Sequence, residues 1–248
     1  MNTDVTISLA QISVVKGDLQ ANLAHHVTAI EQSSKNKADI VVFPELSLTG
    51  YELELVAELA VHPTASNFQE LSLAAVENDI IVIAGCPLSV HGIAKPTIGA
   101  VICFLDGSVQ FYSKQYLHSG ENEYCSFGSV GYRFNVKGYE IALAICADFA
   151  APEHSKQARE SGADIYIVSA LISNNGFDFD AGILSGIASR YDFPVLLSNH
   201  ISVTGGWATC GKNSVWNSTG EHVFSSDSVD SCLVLCTIAG NMLEVTKV

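Results

Sequence analysis

Val5, Ile7 and Leu9 alternate with polar or small neighbours, the period of a strand that lays one face on a core. Leu19, Leu23, Val27 and Ile30 then recur at helical spacing, and Asp39-Ile-Val-Val-Phe43 reads as a short strand buried on both faces. The same rhythm repeats. Ser66-Asn-Phe-Gln69 predicts a capping box for a helix carrying Phe68, Leu71, Ala75 and Val76, and Ile80 to Ala84 is the next buried strand. In the middle of the chain, Asp106-Gly107 and Lys137-Gly138 each separate two apolar runs and predict hairpins. Helix and strand then alternate again: Pro152 to Ser161 with Gly162 as its stop, a strand from Ile165 to Ala170, a helix from Ala181 to Tyr191, and a strand from Val195 to Ser198. Strands at Ser214 to Trp216, His222 to Ser225 and Cys232 to Ile238 follow, with Asn217 to Gly220 as a turn. Alternation of this kind predicts an α/β fold with mixed sheets, and no linker divides residues 1–248, so one domain is expected.

Composition narrows the partners. With 26 acidic against 12 basic residues, a formal charge of −14 and no basic cluster, the chain offers nothing complementary to nucleic acid or an anionic membrane. Only 15% of residues are charged, against a norm of roughly 25%, which points to much buried surface and a subunit interface. No apolar run approaches the roughly 20 residues needed to span a bilayer, and the first residues lack the pattern of a secretory signal. Seven cysteines without a CxxC pair suit a reducing compartment, so the cytoplasm is expected.

Sites in α/β sheets gather where strands end. Three reactive groups occupy such positions: Glu45 after the strand ending at Phe43, Lys114 after the one ending at Tyr112, and Cys146 directly after Ile145. A free thiol, with a pKa near ~8.5, needs a base or a field to become a good nucleophile. Glu45 serves as that base if burial lifts its pKa, and Lys114 supplies a fixed charge beside an oxyanion. Each residue alone has an ordinary alternative: a surface carboxylate, a solvated lysine, a packing cysteine.

The segments Phe43-Pro-Glu-Leu-Ser-Leu-Thr-Gly-Tyr51, Tyr112-Ser-Lys-Gln-Tyr-Leu117 and Ile145-Cys-Ala-Asp148 resemble, in this order, the signature blocks of the nitrilase superfamily of carbon-nitrogen hydrolases. Pro152-Glu153, Gly162-Ala-Asp164, Ser198-Asn199 and Gly211 to Ser214 extend the resemblance over nearly the whole chain. The resemblance implies an αββα sandwich that assembles as a homodimer or higher homo-oligomer. It matches Glu45 to the general base, Lys114 to the oxyanion-stabilising lysine, Cys146 to the nucleophile, Glu121 to a second glutamate and the Ala147 amide to the oxyanion hole. No metal or organic cofactor is required. Ala147-Asp148 replaces the Trp-Glu common in nitrile-hydrolysing members and favours an amide. The expected substrate is a small amide of ω-amide or N-carbamoyl type, cleaved through a cysteine thioester. The Glu45 block is also similar to glutaminase domains of ammonia-fed synthetases. Tyr51, Asn174, Asn175, Phe177 and the Gly205-Gly-Trp207 loop are candidate pocket positions. The alternatives are nitrile hydrolysis by the same triad, an isochorismatase-like hydrolase, a Cys-His hydrolase using His118, His154 or His200, and a metabolite-binding member without turnover. An elbow-type nucleophile is not expected, because Asp148 stands where that turn takes a small residue.

Overall fold

The computed structural model describes residues 3–240 and 242–248. Its strands, in chain order, are β1 (Val5–Gln11), β2 (Ile40–Val42), β3 (Ile81–Leu88), β4 (Thr97–Cys103), β5 (Val109–Ser113), β6 (Tyr132–Val136), β7 (Tyr139–Ile145), β8 (Ile165–Ala170), β9 (Val195–Asn199), β10 (Val203–Thr204), β11 (Trp207–Ala208), β12 (Ser214–Trp216), β13 (His222–Ser225), β14 (Cys232–Ala239) and β15 (Met242–Lys247). The helices are α1 (Leu19–Lys35), α2 (Val56–Leu59), α3 (Gln69–Glu77), α4 (Ala147–Ala150), α5 (Pro152–Glu160) and α6 (Phe177–Tyr191). One sheet runs β15-β14-β1-β2-β3-β4-β5 and a second β13-β12-β9-β8-β7-β6. At the centre of each lie three parallel strands, β1-β2-β3 and β7-β8-β9, flanked by antiparallel ones.

The period-two pattern explains the layering. Ile7, Leu9, Ile40, Val42 and Ile83 from the first sheet meet Ile141, Leu143, Ile145, Ile167 and Leu196 from the second in one core between the sheets. The alternate residues Val41, Phe43, Val82 and Ala84 face outward with Ile30 of α1 and Leu71 of α3. On the far side, Ala142, Ala144, Tyr166 and Val168 pack with Ala158 of α5 and Leu184 of α6. The result is the expected sandwich of helices, two sheets and helices. Among the described residues, no helix is long and apolar enough to cross a membrane.

At the C-terminal ends of the central strands the inter-sheet layer becomes polar. Ser169 Oγ donates to the Phe43 carbonyl at 2.8 Å, Ser198 Oγ lies 3.1 Å from the carbonyls of Ala10 and Val42, and Asn213 Nδ2 donates to Leu9 O at 3.0 Å. These bonds fix the two sheets to each other where both carry their site residues.

Several expectations shift. The Ser66 capping box does not form: residues 65–68 are a 3-10 turn, Phe68 occupies the N-cap of α3 without a side-chain bond, and Ser66 Oγ pairs with Thr64 Oγ1 at 3.1 Å. A capping serine needs extended backbone, and here Ser66 already sits in a helical turn. The last helix begins at Phe177 rather than Ala181, and both β15 and the β10–β11 hairpin are additional strands. The Lys137-Gly138 hairpin is present, with positive φ at both residues as a type I′ turn requires.

Candidate active site

Glu45 leaves β2 on a tight turn that several neighbours hold. Leu46 takes a positive φ of 50°, and Gly50 N–H donates to Leu46 O at 2.8 Å. Leu48 N–H donates to Gly85 O at 2.9 Å. A Cβ on Gly85 would stand 2.2 Å from Leu46 N, so only glycine lets β3 lie this close beneath the turn. His200 Nε2 lies 2.5 Å from the Glu45 carbonyl; burial holds this histidine down near 4, so it is neutral and donates through Nε2. Lys114 extends β5, with its N–H on Ile98 O at 2.8 Å and its carbonyl accepting from Gly128 N–H at 2.7 Å.

These turns bring the side chains together in a dry cluster. Lys114 Nζ donates to Glu45 Oε1 and to Glu121 Oε1, each at 2.7 Å, and all three side chains are almost completely buried. Tyr51 OH donates to Glu121 Oε1 at 2.6 Å, and His118 N–H donates to Glu121 Oε2 at 2.6 Å. Both oxygens of Glu121 are therefore committed. Glu45 differs, because its Oε2 is buried with no hydrogen-bond partner among the described residues. Burial raises Glu45 to about 7, against the pull of the Lys114 charge, and Glu121 pushes it the same way as burial. Burial works against the Lys114 charge, yet Glu45, Cys146 and Glu121 outweigh it and hold the ammonium above its ordinary range. Lys114 is thus a permanent cation.

Cys146 has φ 44° and ψ −109°, backbone that a residue with a Cβ adopts only under strain of about 1–3 kcal/mol. Its N–H donates to Ser169 O at 2.9 Å, and α4 starts with Ala147 immediately after it. This is the strand-to-helix elbow that the sequence was expected to lack. Asp148 is tolerated because its side chain turns into the protein and accepts from Ile145 N–H at 2.9 Å. The Ala147 N–H, first in its helix, has no acceptor within it. Burial and then Glu45 push the Cys146 thiol well above its ordinary value, while Lys114 pulls it down. The thiol is neutral at rest and close enough to Glu45 for each to shift the other. Its hydrogen-bond partner is Leu171 O, at 3.8 Å.

The structure thus brings Glu45, Lys114, Glu121 and Tyr51 into one cluster beside Cys146. The other pocket positions lie further out. Asn174 is exposed, with its N–H on Ala208 O at 3.3 Å, and Phe177 is buried outside the second sheet with Lys212 Nζ 4.4 Å above its ring. Gly205 packs against the Tyr51 backbone, so the β10–β11 hairpin flanks the cluster. Among the described residues no histidine is bonded to the thiol, and no group of His, Cys, Asp and Glu side chains is arranged to hold a metal ion. Ser169 and His200, which brace the Glu45 and Cys146 turns, were not singled out as supports from the sequence; their position at the ends of β8 and β9 was the available signal.

The family model of carbon-nitrogen hydrolases matches residues 6–238. The chain belongs to this family. It is 30% identical over 168 residues to the 2-oxoglutaramate amidase of Bacillus subtilis, covering 66% of this chain and 64% of that protein. It is 29% identical over 179 residues to a glutamine-dependent NAD(+) synthetase of Xylella fastidiosa, covering 68% of this chain and 32% of that protein. The chain therefore spans about a third of such synthetases and under two thirds of that amidase. An amidase from Nesterenkonia sp. AN1, solved with the acetamide moiety of fluoroacetamide on its active-site cysteine, superposes with a TM-score of 0.86 at 21% identity, over 94% of this chain and 90% of that one. That likeness establishes the fold of the chain.

Proposed function

We propose that this carbon-nitrogen hydrolase cleaves a small amide, of ω-amide or N-carbamoyl type, through a thioester on Cys146. The observation that carries the reading is the orphaned Oε2 of Glu45. A buried carboxylate oxygen with no partner, raised to about 7 and adjoining a neutral thiol, is an acceptor waiting for a proton. Glu121 cannot take that part, since Lys114, Tyr51 and the His118 amide occupy it; it orients the lysine instead.

In this mechanism Glu45 takes the Cys146 proton as sulfur bonds to the amide carbon. The oxyanion forms beside the Lys114 ammonium and the Ala147 N–H. The carbon–nitrogen bond breaks, and ammonia or an amine leaves with the proton from Glu45. Water then gives its proton to Glu45 and its oxygen to the acyl carbon, the carbon–sulfur bond breaks, and the proton returns to sulfur. The relatives whose names specify 2-oxoglutaramate amidase and formamidase support a small acyl group, as does Ala147 in place of a bulky residue after the nucleophile.

The test is ammonia release from a panel of short amides, ω-amido acids, N-carbamoyl amines and nitriles, with mass spectrometry for an acyl adduct on Cys146. Release from amides with an acyl-Cys146 species supports the reading. Full activity in Cys146→Ala, or turnover of nitriles alone, overturns it.

A further inference from the structure

Asp148 follows the oxyanion amide, is completely buried, and accepts four hydrogen bonds from two different segments. Its Oδ1 accepts from Gln115 N–H and Tyr116 N–H, both at 2.9 Å, the two amides that follow Lys114. Its Oδ2 accepts from Ile145 N–H at 2.9 Å, the amide before Cys146, and from Tyr112 OH at 2.6 Å, in the strand that leads to Lys114. The carboxylate thus bonds to both sides of Lys114 and to the residue before the nucleophile. We propose that Asp148 is a positioning residue that fixes the Lys114 segment against the Cys146 elbow.

Its orientation is itself set by a chain of side chains. His154 Nε2 lies 3.0 Å from Tyr112 OH, and its Nδ1 lies 2.7 Å from Tyr166 OH. One arrangement satisfies every group: Tyr166 OH donates to Nδ1, Nε2–H donates to the Tyr112 oxygen, and Tyr112 OH donates to Asp148. Burial keeps His154 below its ordinary value and therefore neutral, as this arrangement needs. All three side chains are buried, so the chain of donors is insulated from water. Asp148 matters to the reaction because the lysine charge must meet an oxyanion that exists only after the thiol has added. A displacement of about 1 Å between such groups costs on the order of 10²-fold in rate.

The role rests on the amide-hydrolase reading, so its test includes a readout independent of turnover. Asp148→Asn keeps the shape but leaves the Ile145 N–H, or both N–H groups after Lys114, facing an amide nitrogen. The expected result is a kcat lower by about 10²-fold, a KM within about threefold, and alkylation of Cys146 by iodoacetamide slowed about tenfold, in protein that melts cooperatively. Tyr112→Phe removes one of the four donors and shifts both readouts in the same direction by less. A folded Asp148→Asn that retains kcat within about threefold and alkylates at the wild-type rate overturns the proposal. If the wild type hydrolyses nothing in the panel, the alkylation ratio alone decides. If Asp148→Asn does not fold, unchanged kcat and alkylation in Tyr112→Phe overturn it.

Discussion

Glu45, Lys114 and Glu121 have almost no contact with solvent and hold one another through charged hydrogen bonds of 2.7 Å, whereas Asn174 and Trp207, on the segments beside them, are exposed and tied down mainly by backbone. The first region is over-determined: among the described residues, every side-chain nitrogen and oxygen of these three is engaged except Glu45 Oε2. The second is built from a loop and a two-strand hairpin whose side chains are free to differ without disturbing the sheets. On the proposed mechanism, reaction type belongs to the buried cluster and choice of acyl group to the loops around it.

The sharpest way to break the contrast is at the thiol. Cys146→Ala is expected to lower amide turnover by roughly 10⁴-fold or more, because it removes the thiol that Glu45 is placed to deprotonate, while leaving the melting temperature close to wild type. Residual activity within tenfold would move the chemistry elsewhere. Lys114→Ala should cost about 10²–10³-fold in kcat and also destabilise the fold by about 3–5 kcal/mol, since it leaves two buried carboxylates facing each other without their cation. Urea unfolding beside steady-state kinetics separates the two effects; a loss of rate with no loss of stability would mean that the cluster is less interdependent than its distances imply.

Acidity probes the same cluster without mutation. Glu45 must be ionised to accept the thiol proton, and its folded pKa lies above the ordinary carboxylate value, at about 7. The competent fraction therefore grows as pH rises through about 7, and kcat/KM should fall about tenfold for each unit below it. The midpoint belongs to the coupled cluster rather than to one residue. A kcat/KM flat from pH 5 to 8 would exclude Glu45 as a base with a raised pKa. Tyr51→Phe is the milder intervention: it removes the 2.6 Å bond to Glu121 but leaves the lysine in place, and about tenfold in kcat is expected from losing a hydrogen bond to a charged group.

The same contrast explains what could be read from the chain. β2, β3, β7 and β8 are apolar runs buried on both faces, so their presence was visible as changes in pattern, as were Glu45 after β2 and Cys146 after β7; β3 runs on to Leu88, beyond the expected end at Ala84. Supports of the cluster were less visible. Asp148 looked like an obstacle to an elbow because the rule for such turns considers side-chain size, and only the fold shows that this side chain points inward to four donors. Ser169 was only one position of a strand and His200 a rival base for the thiol; the fold instead sets them against Phe43 O and Glu45 O. The start of α6 at Phe177 and the hairpin at residues 203–208 depend on tertiary contacts: Lys212 over Phe177, and Gly205 against Tyr51. No local periodicity encodes either contact. β15 was missed for a different reason, since it is an edge strand with exposed Met242, Glu244 and Thr246 and so shows little apolar run.

The smallest expected effects lie in the outer loops, and they test the division most directly. Trp207 is 47% exposed at the hairpin beside Tyr51, and Asn174 is exposed on the segment that begins at Leu171, whose carbonyl receives the thiol. Truncating Asn174 to alanine removes no buried packing and should change stability by less than about 0.5 kcal/mol, whereas Trp207, about half covered, should cost about 1 kcal/mol. If these loops contact the acyl group in ground state and transition state alike, KM rises by about threefold to tenfold with kcat nearly unchanged. The size of the rise should also differ between short and long acyl chains, because a loop outside the cluster can reach only the part of the substrate remote from the amide. A fall in kcat with KM constant, uniform across chain lengths, would instead place these side chains in the reacting machinery and erase the boundary between the two regions.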